Sequence, residues 1–408
     1  MAHTTFRMAA LATGALSAVA IGTPGLAQDR TIGAIAPLTG PAANTGEDAR
    51  RGYELAVKEW NEGNGDYVTD NPPQVELFIE DSNSKPEVGV SAAQRLITRN
   101  GIDILVGEAL HSHVTMALME LAPQYDLPIL SAEPVATTIA EKVRSDPERY
   151  ELYWKDNFNS DGYGRAVHQF YTSAFEQGLV EEGGKKIGFV VEDTDYGLSN
   201  AEQIGTLFEG DGWEVVGTER TPAGQTDFYP QLSKLRDLDP DIIVSVFTIP
   251  NSGIAFVRQL QEQGLESSHL AIYYPTKVEF MEQAADIAEG MFWATLQYAP
   301  DLIPEHKAFS DKIEAEYGSP AGYSSVHDYC VMKIALRALD AAGPDAGPEE
   351  IAQAISETDY ECIYGRWVFG EDHAAKDGPE FLPVPVAQIQ DGVNQIIWPE
   401  TVATAEGR

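Results

Sequence analysis

Short apolar runs alternate along this chain with longer stretches in which apolar residues return every three or four positions. The first unit is the clearest. Residues 31–36 form a mostly apolar run of the kind that fills a strand buried on both faces. A Gly/Pro/Asn-rich loop covers 37–46. From Glu47 onward Tyr53, Leu55, Ala56 and Trp60 recur at helical spacing, with charges on the opposite side. The same order of strand, polar loop and helix repeats. Strands are predicted at 75–80, 102–106 and 127–130, with helices over 87–100 and from 114 through 121. A second series predicts strands at 186–191, 213–218 and 242–247, with helices ending near 209, 238 and 263. This alternation predicts parallel sheets rather than a β-sandwich or a helical bundle. Two such series imply two α/β lobes whose loop-bearing edges face each other across a cleft. Clefts of that kind hold small molecules and close by hinge motion.

The N-terminus reads differently. Arg7 precedes the apolar run 8–21, and Gly25-Leu26-Ala27 places small residues before a cleavage point. Residues 1–27 are therefore expected to be a cleaved secretory signal, with an apolar run too short to span a bilayer comfortably. No cysteine lies near the cut for lipid attachment, and no later run approaches the roughly 18 apolar residues of a membrane helix. The mature chain is expected to be exported, soluble and without a direct membrane anchor. At roughly 380 residues it exceeds one ordinary core and suits two lobes. A formal net charge of −37 argues against nucleic acid or anionic membranes as partners. That excess fits solubility at high salt better than capture of cations, because bulk charge does not select the contents of a pocket.

Catalytic constellations are mostly absent. The chain has no Walker lysine loop, no G-x-G-x-x-G after its first strand, no G-x-S-x-G and no H-E-x-x-H. His111 and His113 lack a third ligand nearby, and Asp193 with Asp195 reads as a helix-capping loop. No cofactor or metal is predicted. The two cysteines, Cys330 and Cys362, are too few and too far apart for a zinc site. The amphipathic run 325–342, the turn 343–347 and a helix over 348–356 bring Cys362 back towards Cys330. In an oxidising compartment a disulfide fits, and so do two separate buried thiols.

The segments APLTGP with GYELAV, EDSNSKPE, ILVGEALHS, LPILSAEP, EDTDYG, TPAGQTDFYPQLSKLR and YGRWVFGED occur in one order along the chain. Together they resemble the landmarks of periplasmic solute-binding proteins of the leucine/isoleucine/valine type, the capture subunits of ABC importers. The resemblance implies the type I periplasmic binding protein fold, α/β with two Rossmann-like lobes on parallel-sheet cores joined by three crossover strands. Those crossovers would fall near 153–158, 291–298 and 364–370, returning terminal strands 383–390 and 394–398 to the second lobe. One lobe would comprise 28–155 with 295–365, the other 156–294 with 366–408. The implied function is capture of a small amphipathic solute (amino acid, amide, amine or related compound) in the periplasm. Delivery would be to an inner-membrane permease with its ATPase. A ligand-sensing domain of the same fold is the alternative, and a cleft hydrolase using Glu133 and His111 a remote third.

Carried over residue by residue, the family's ligand site departs from its usual pattern. Members that hold an amino acid grip its carboxylate with hydroxyls and backbone N–H groups from two first-lobe loops. Here those loops are 109–113, with His111 and Ser112, and 131–135, with Glu133, Pro134 and Val135. Pro134 removes an N–H donor, and Glu133 would repel a second carboxylate. Tyr196 matches an aromatic wall, Tyr274 beside Tyr273 replaces the acid that receives an ammonium group, and Ile249 stands where an aromatic is common. The ligand-binding set is therefore His111, Ser112, Glu133, Val135, Trp154, Tyr196, Ile249 and Tyr274. Trp154 and Tyr273 also fit core or hinge packing, and Glu133 a solvent-facing position. An amine, an amide, an aromatic compound and a reversed amino acid stay open as ligands.

Overall fold

The computed structural model describes Met1 and residues 29–408, so the predicted signal segment lies outside the described residues. Its strands are β1 (Arg30–Ala36), β2 (Val75–Asp81), β3 (Ile104–Val106), β4 (Ile129–Ser131), β5 (Tyr153–Lys155), β6 (Lys186–Glu192), β7 (Glu214–Thr221), β8 (Ile242–Phe247), β9 (Ser268–Tyr273), β10 (Phe292–Ala294), β11 (Asp359–Cys362), β12 (Gly365–Val368), β13 (Val386–Gln390) and β14 (Val393–Trp398). A five-stranded sheet in the order β2-β1-β3-β4-β5 carries the first lobe, and all its pairs are parallel. A seven-stranded sheet, β14-β13-β10-β9-β8-β6-β7, carries the second. Its β7-β6-β8-β9-β10 portion repeats the order of the first sheet, and antiparallel β13 and β14 extend the edge. Each sheet therefore reverses direction beside its first strand, between β1 and β3 and again between β6 and β8. Loops at the carboxyl ends of strands diverge at that point and leave a crevice for ligand.

The apolar runs form central strands because helices cover both faces. Ile32, Ile104, Leu105, Val106, Ile242, Ile243 and Val244 have no exposed surface. The chain leaves the first lobe after β5 and builds the second through β10. It then returns with helices Pro304–Tyr317, Tyr323–Ala342 and Pro348–Ser356. Helix Tyr323–Ala342 packs against Ala43–Glu59 at close range. A Cβ at Gly52 would come within 2.3 Å of the Ser325 carbonyl oxygen, so glycine permits this crossing.

Some expected elements differ. The predicted helix 87–100 is α-helical over Pro86–Arg95, widens to π over Leu96–Asn100 and stops at Gly101 in the left-handed region. Strand β9 was not anticipated, because Ser268 and His269 dilute its apolar pattern. The third predicted crossover is β12 of a two-stranded hairpin with β11. Trp367 in β12 donates its indole N–H to Asp156 just past β5, tying this hairpin to the first crossover. Cys330 and Cys362 are disulfide-bonded, joining helix Tyr323–Ala342 to β11. Among the described residues no helix is long and apolar enough to cross a membrane.

Candidate functional site

The carboxyl-end loops of both sheets converge on a tight gap with free room of about 10 Å³. Leu110 comes from the loop after β3, Glu133 and Val135 from the loop after β4, and Asn157 from the segment after β5. The second lobe contributes Tyr163, Tyr196, Thr248 and Tyr273, while Tyr323 opens the helix returning to the first. The lobes touch around this gap. The Thr137 N–H donates to Ser199 Oγ at 3.0 Å, Asn44 Nδ2 to Glu279 Oε1 at 2.6 Å, and Lys277 Nζ to Ser324 Oγ at 3.1 Å.

Glu133 is the polar centre. Only 5% of it is exposed, and its Oε2 accepts a hydrogen bond from the Tyr273 hydroxyl at 2.7 Å. Asn157 Nδ2 fixes the Glu133 carbonyl at 2.8 Å. Oε1 of Glu133 has no partner, nor does the hydroxyl of Tyr196 across the gap. Among the residues lining the gap these are the two fully buried polar side-chain atoms without a hydrogen-bond partner. Buried acceptors are normally satisfied, so both point to something that completes them.

Aromatic rings form the walls. Tyr273 meets Tyr196 edge-on at 6.5 Å between centroids and Tyr323 at 5.7 Å. The Tyr163 hydroxyl pairs with Thr295 Oγ1 at 2.6 Å. Burial, reinforced by the acidic residues nearby, holds the phenols of Tyr196, Tyr273 and Tyr323 well above their ordinary pKa, so they are neutral. Tyr273 lies at φ 75° and ψ −57°, a strained γ-turn that a bulky residue rarely adopts. It ends β9 and aims its ring across the cleft, while its neighbour turns the other way.

Behind these residues sit paired acids. Glu108 is fully buried and accepts from the backbone N–H groups of Leu110, at 3.1 Å, and His111. Its Oε1 takes Ser82 Oγ at 2.8 Å and lies 3.2 Å from His111 Nδ1. Burial pushes Glu108 up, but the charge and hydrogen bonds of His111 outweigh it and hold the carboxyl below its usual range. Burial likewise pushes His111 down, and Glu108, helped by Glu192 and Glu133, lifts it above its ordinary value. Glu192 accepts from the Thr248 N–H at 2.9 Å and from its hydroxyl, although burial raises its pKa.

The predicted residues separate into groups. Glu133, Val135 and Tyr196 line the gap. His111 stands behind it on Glu108. Ser112 Oγ accepts from the Ala136 N–H at 3.3 Å and ties the two first-lobe loops together. Ile249 is buried beside Thr248 at the start of helix Pro250–Gln263. Tyr274 is fully buried in the second-lobe core, bonded to Ser245 Oγ at 2.8 Å and packed on Phe247 and Phe280. Trp154 stacks on His373 at 4.0 Å and meets Phe369 edge-on, away from the gap lining. Glu108, Asn157, Tyr163, Thr248 and Tyr323 were not predicted. Glu108 and Thr248 carried a signal in retrospect, as the first polar residues after predicted buried strands. A roomier hollow of about 700 Å³ lies among Asp241, Glu266, Gly290 and Arg408. It sits at the amino ends of the strands, opposite the edge where such sheets bind ligands. Among the described residues no group of His, Cys, Asp and Glu is arranged to hold a metal ion.

The chain matches the family model described as periplasmic binding protein over residues 30–393. It is 26% identical over 337 residues to the leucine-, isoleucine-, valine-, threonine-, and alanine-binding protein of Pseudomonas aeruginosa, covering 82% of this chain and 84% of that one. A structure described as a branched-chain amino acid ABC transporter protein from Silicibacter pomeroyi superposes with a TM-score of 0.79 at 25% identity, over 93% of this chain and 99% of that one. A solute-binding protein from R. palustris in complex with benzoate superposes at 0.75 with 19% identity, over 90% of this chain and 95% of that one, a likeness of fold. The chain belongs to the periplasmic binding protein family, as a solute-binding protein similar to those of branched-chain amino acid ABC transporters.

Proposed function

We propose that this protein captures a small solute between its lobes in the periplasm and delivers it to an inner-membrane ABC permease with its ATPase. The observation that carries the reading is the facing pair of unpartnered polar atoms, Glu133 Oε1 on one lobe and the Tyr196 hydroxyl on the other. A solute touching both completes two buried valences and holds the lobes together, and the held-closed assembly is what a permease can distinguish from the empty protein, whose lobes close only part of the time. The hinge divides residues 28–155 with 295–365 from 156–294 with 366–408, and the leader 1–27 directs export. Glu133 and Tyr196 contact the solute. Val135 and Tyr273 complete the wall, His111, Ser112 and Ile249 support it from behind, and Tyr274 and Trp154 keep the second lobe and the hinge in shape.

The protein binds without turnover. Native mass spectrometry of protein purified from the periplasm without refolding reveals a carried solute, recovered intact after long incubation. Glu133→Ala and Tyr196→Ala each reduce its retention. Retention unchanged in both variants, or conversion of the solute, overturns the reading.

A further inference from the structure

We propose that the solute is a small organic ammonium ion that carries no carboxylate. This rests on the reading above, in which the gap between the lobes is the capture site. The first observation is the fate of the backbone donors. After β3, the N–H groups of Leu110 and His111 point to the chain's own Glu108 carboxylate. After β4, Pro134 has no N–H, that of Ala136 goes to Ser112 Oγ, and that of Thr137 to Ser199 Oγ. On the second lobe the Thr248 N–H goes to Glu192. Five of the loop donors that could receive a solute carboxylate are thus occupied, two sets of them by internal carboxylates.

The second observation is what remains free. Glu133 Oε1 is a buried acceptor with nothing to accept from, and the rings of Tyr163, Tyr196, Tyr273 and Tyr323 surround it. No lysine or arginine lines the gap. Lys277 lies over the faces of Tyr273 and Tyr323 at 4.4 and 5.5 Å and is engaged with Ser324 Oγ. An ammonium group donates to Oε1, balances the Glu133 charge and lies against aromatic faces that attract cations. A neutral amide offers no such charge pairing, and an amino acid adds a second carboxylate beside Glu133.

Titration calorimetry on the full exported chain decides the matter, using butyl-, benzyl- and tetramethylammonium beside butyramide, butyrate, benzoate and leucine. Saturable binding of at least one ammonium ion is expected, with the amide, the acids and leucine at least tenfold weaker. Glu133→Gln should weaken that binding roughly ten- to hundredfold, the loss typical of a charged hydrogen bond, with the melting temperature reporting that the variant is folded. Leucine, benzoate or butyramide binding tighter than every ammonium ion, and lost in Tyr196→Ala, would overturn the ammonium assignment and leave the capture site standing. Ammonium binding unchanged in both Glu133→Gln and Tyr196→Ala would instead overturn the capture site. Failure of all three ammonium ions to bind also overturns the assignment.

Discussion

Tyr273 reaches out of the second lobe and donates its hydroxyl proton to Glu133 Oε2 in the first, at 2.7 Å, from a backbone held at φ 75°. One bond thus joins the closing surfaces at the point where the gap is most polar. Its geometry depends on a conformation that costs about 1–3 kcal/mol unless its surroundings enforce it. The contact between lobes is therefore built against a local penalty, which is common where a protein must also let go.

Tyr273→Phe removes this donor and leaves a second Glu133 oxygen unpaired whenever the lobes close without solute. Closure should weaken by about 1–3 kcal/mol. Small-angle scattering of the solute-free variant should give a larger radius of gyration than the parent. An unchanged scattering profile in the absence of solute would contradict this role.

The Glu108–His111 pair predicts a pH dependence with a definite sign. Glu108 is lowered from an ordinary 4.5, so its contribution is present above that value and lost as pH falls through the lower folded one. His111 is raised from an ordinary 6.5, so its contribution is full below that value and lost as pH rises through the higher folded one. The stability difference between the parent and His111→Gln should be greatest between about 4.5 and 6.5 and shrink on both sides. Denaturant titrations at several pH values check this, and a difference constant with pH would rule the ion pair out as its source.

Gly52→Ala should destabilise the first lobe. The added methyl meets the Ser325 carbonyl at 2.3 Å and the Tyr329 nitrogen at 2.8 Å, both backbone atoms of the packed helix. Neither can move without displacing helix Tyr323–Ala342, so a loss of about 1–3 kcal/mol is expected. Chemical denaturation measures it, and a neutral effect would mean that the helices separate freely.

The Cys330–Cys362 bond closes a loop with a sequence separation of 32. Replacing both cysteines with serine should lower stability by about 2–4 kcal/mol. Reductant should then destabilise the parent and leave the double variant unchanged.

The strand-loop-helix order was legible because central parallel strands must be apolar on both faces, and 242–247 emerged with its boundaries intact. Glu133 and Tyr196 were legible because each lies in a loop or helix start directly after a predicted strand. The neighbours Tyr273 and Tyr274 show where such reading stops. Either ring could face the cleft until the γ-turn at Tyr273 is known, and that turn leaves no pattern in the residues. Trp154 looked available to a ligand until His373, more than two hundred positions later, covered its face. Tyr323 enters the gap from a returning helix whose packing on the first lobe is a tertiary fact. Glu108 read as part of a polar loop, and only the folded loop turns its carboxylate back onto the N–H groups of Leu110 and His111.

The most direct test is a structure of the exported protein isolated with its own solute. That solute is expected between Glu133 and Tyr196, with a cationic nitrogen about 3 Å from Glu133 Oε1 and tyrosine rings around it. A solute lodged at the amino ends of the strands near Asp241 and Arg408, with the gap between the lobes unfilled, would contradict it.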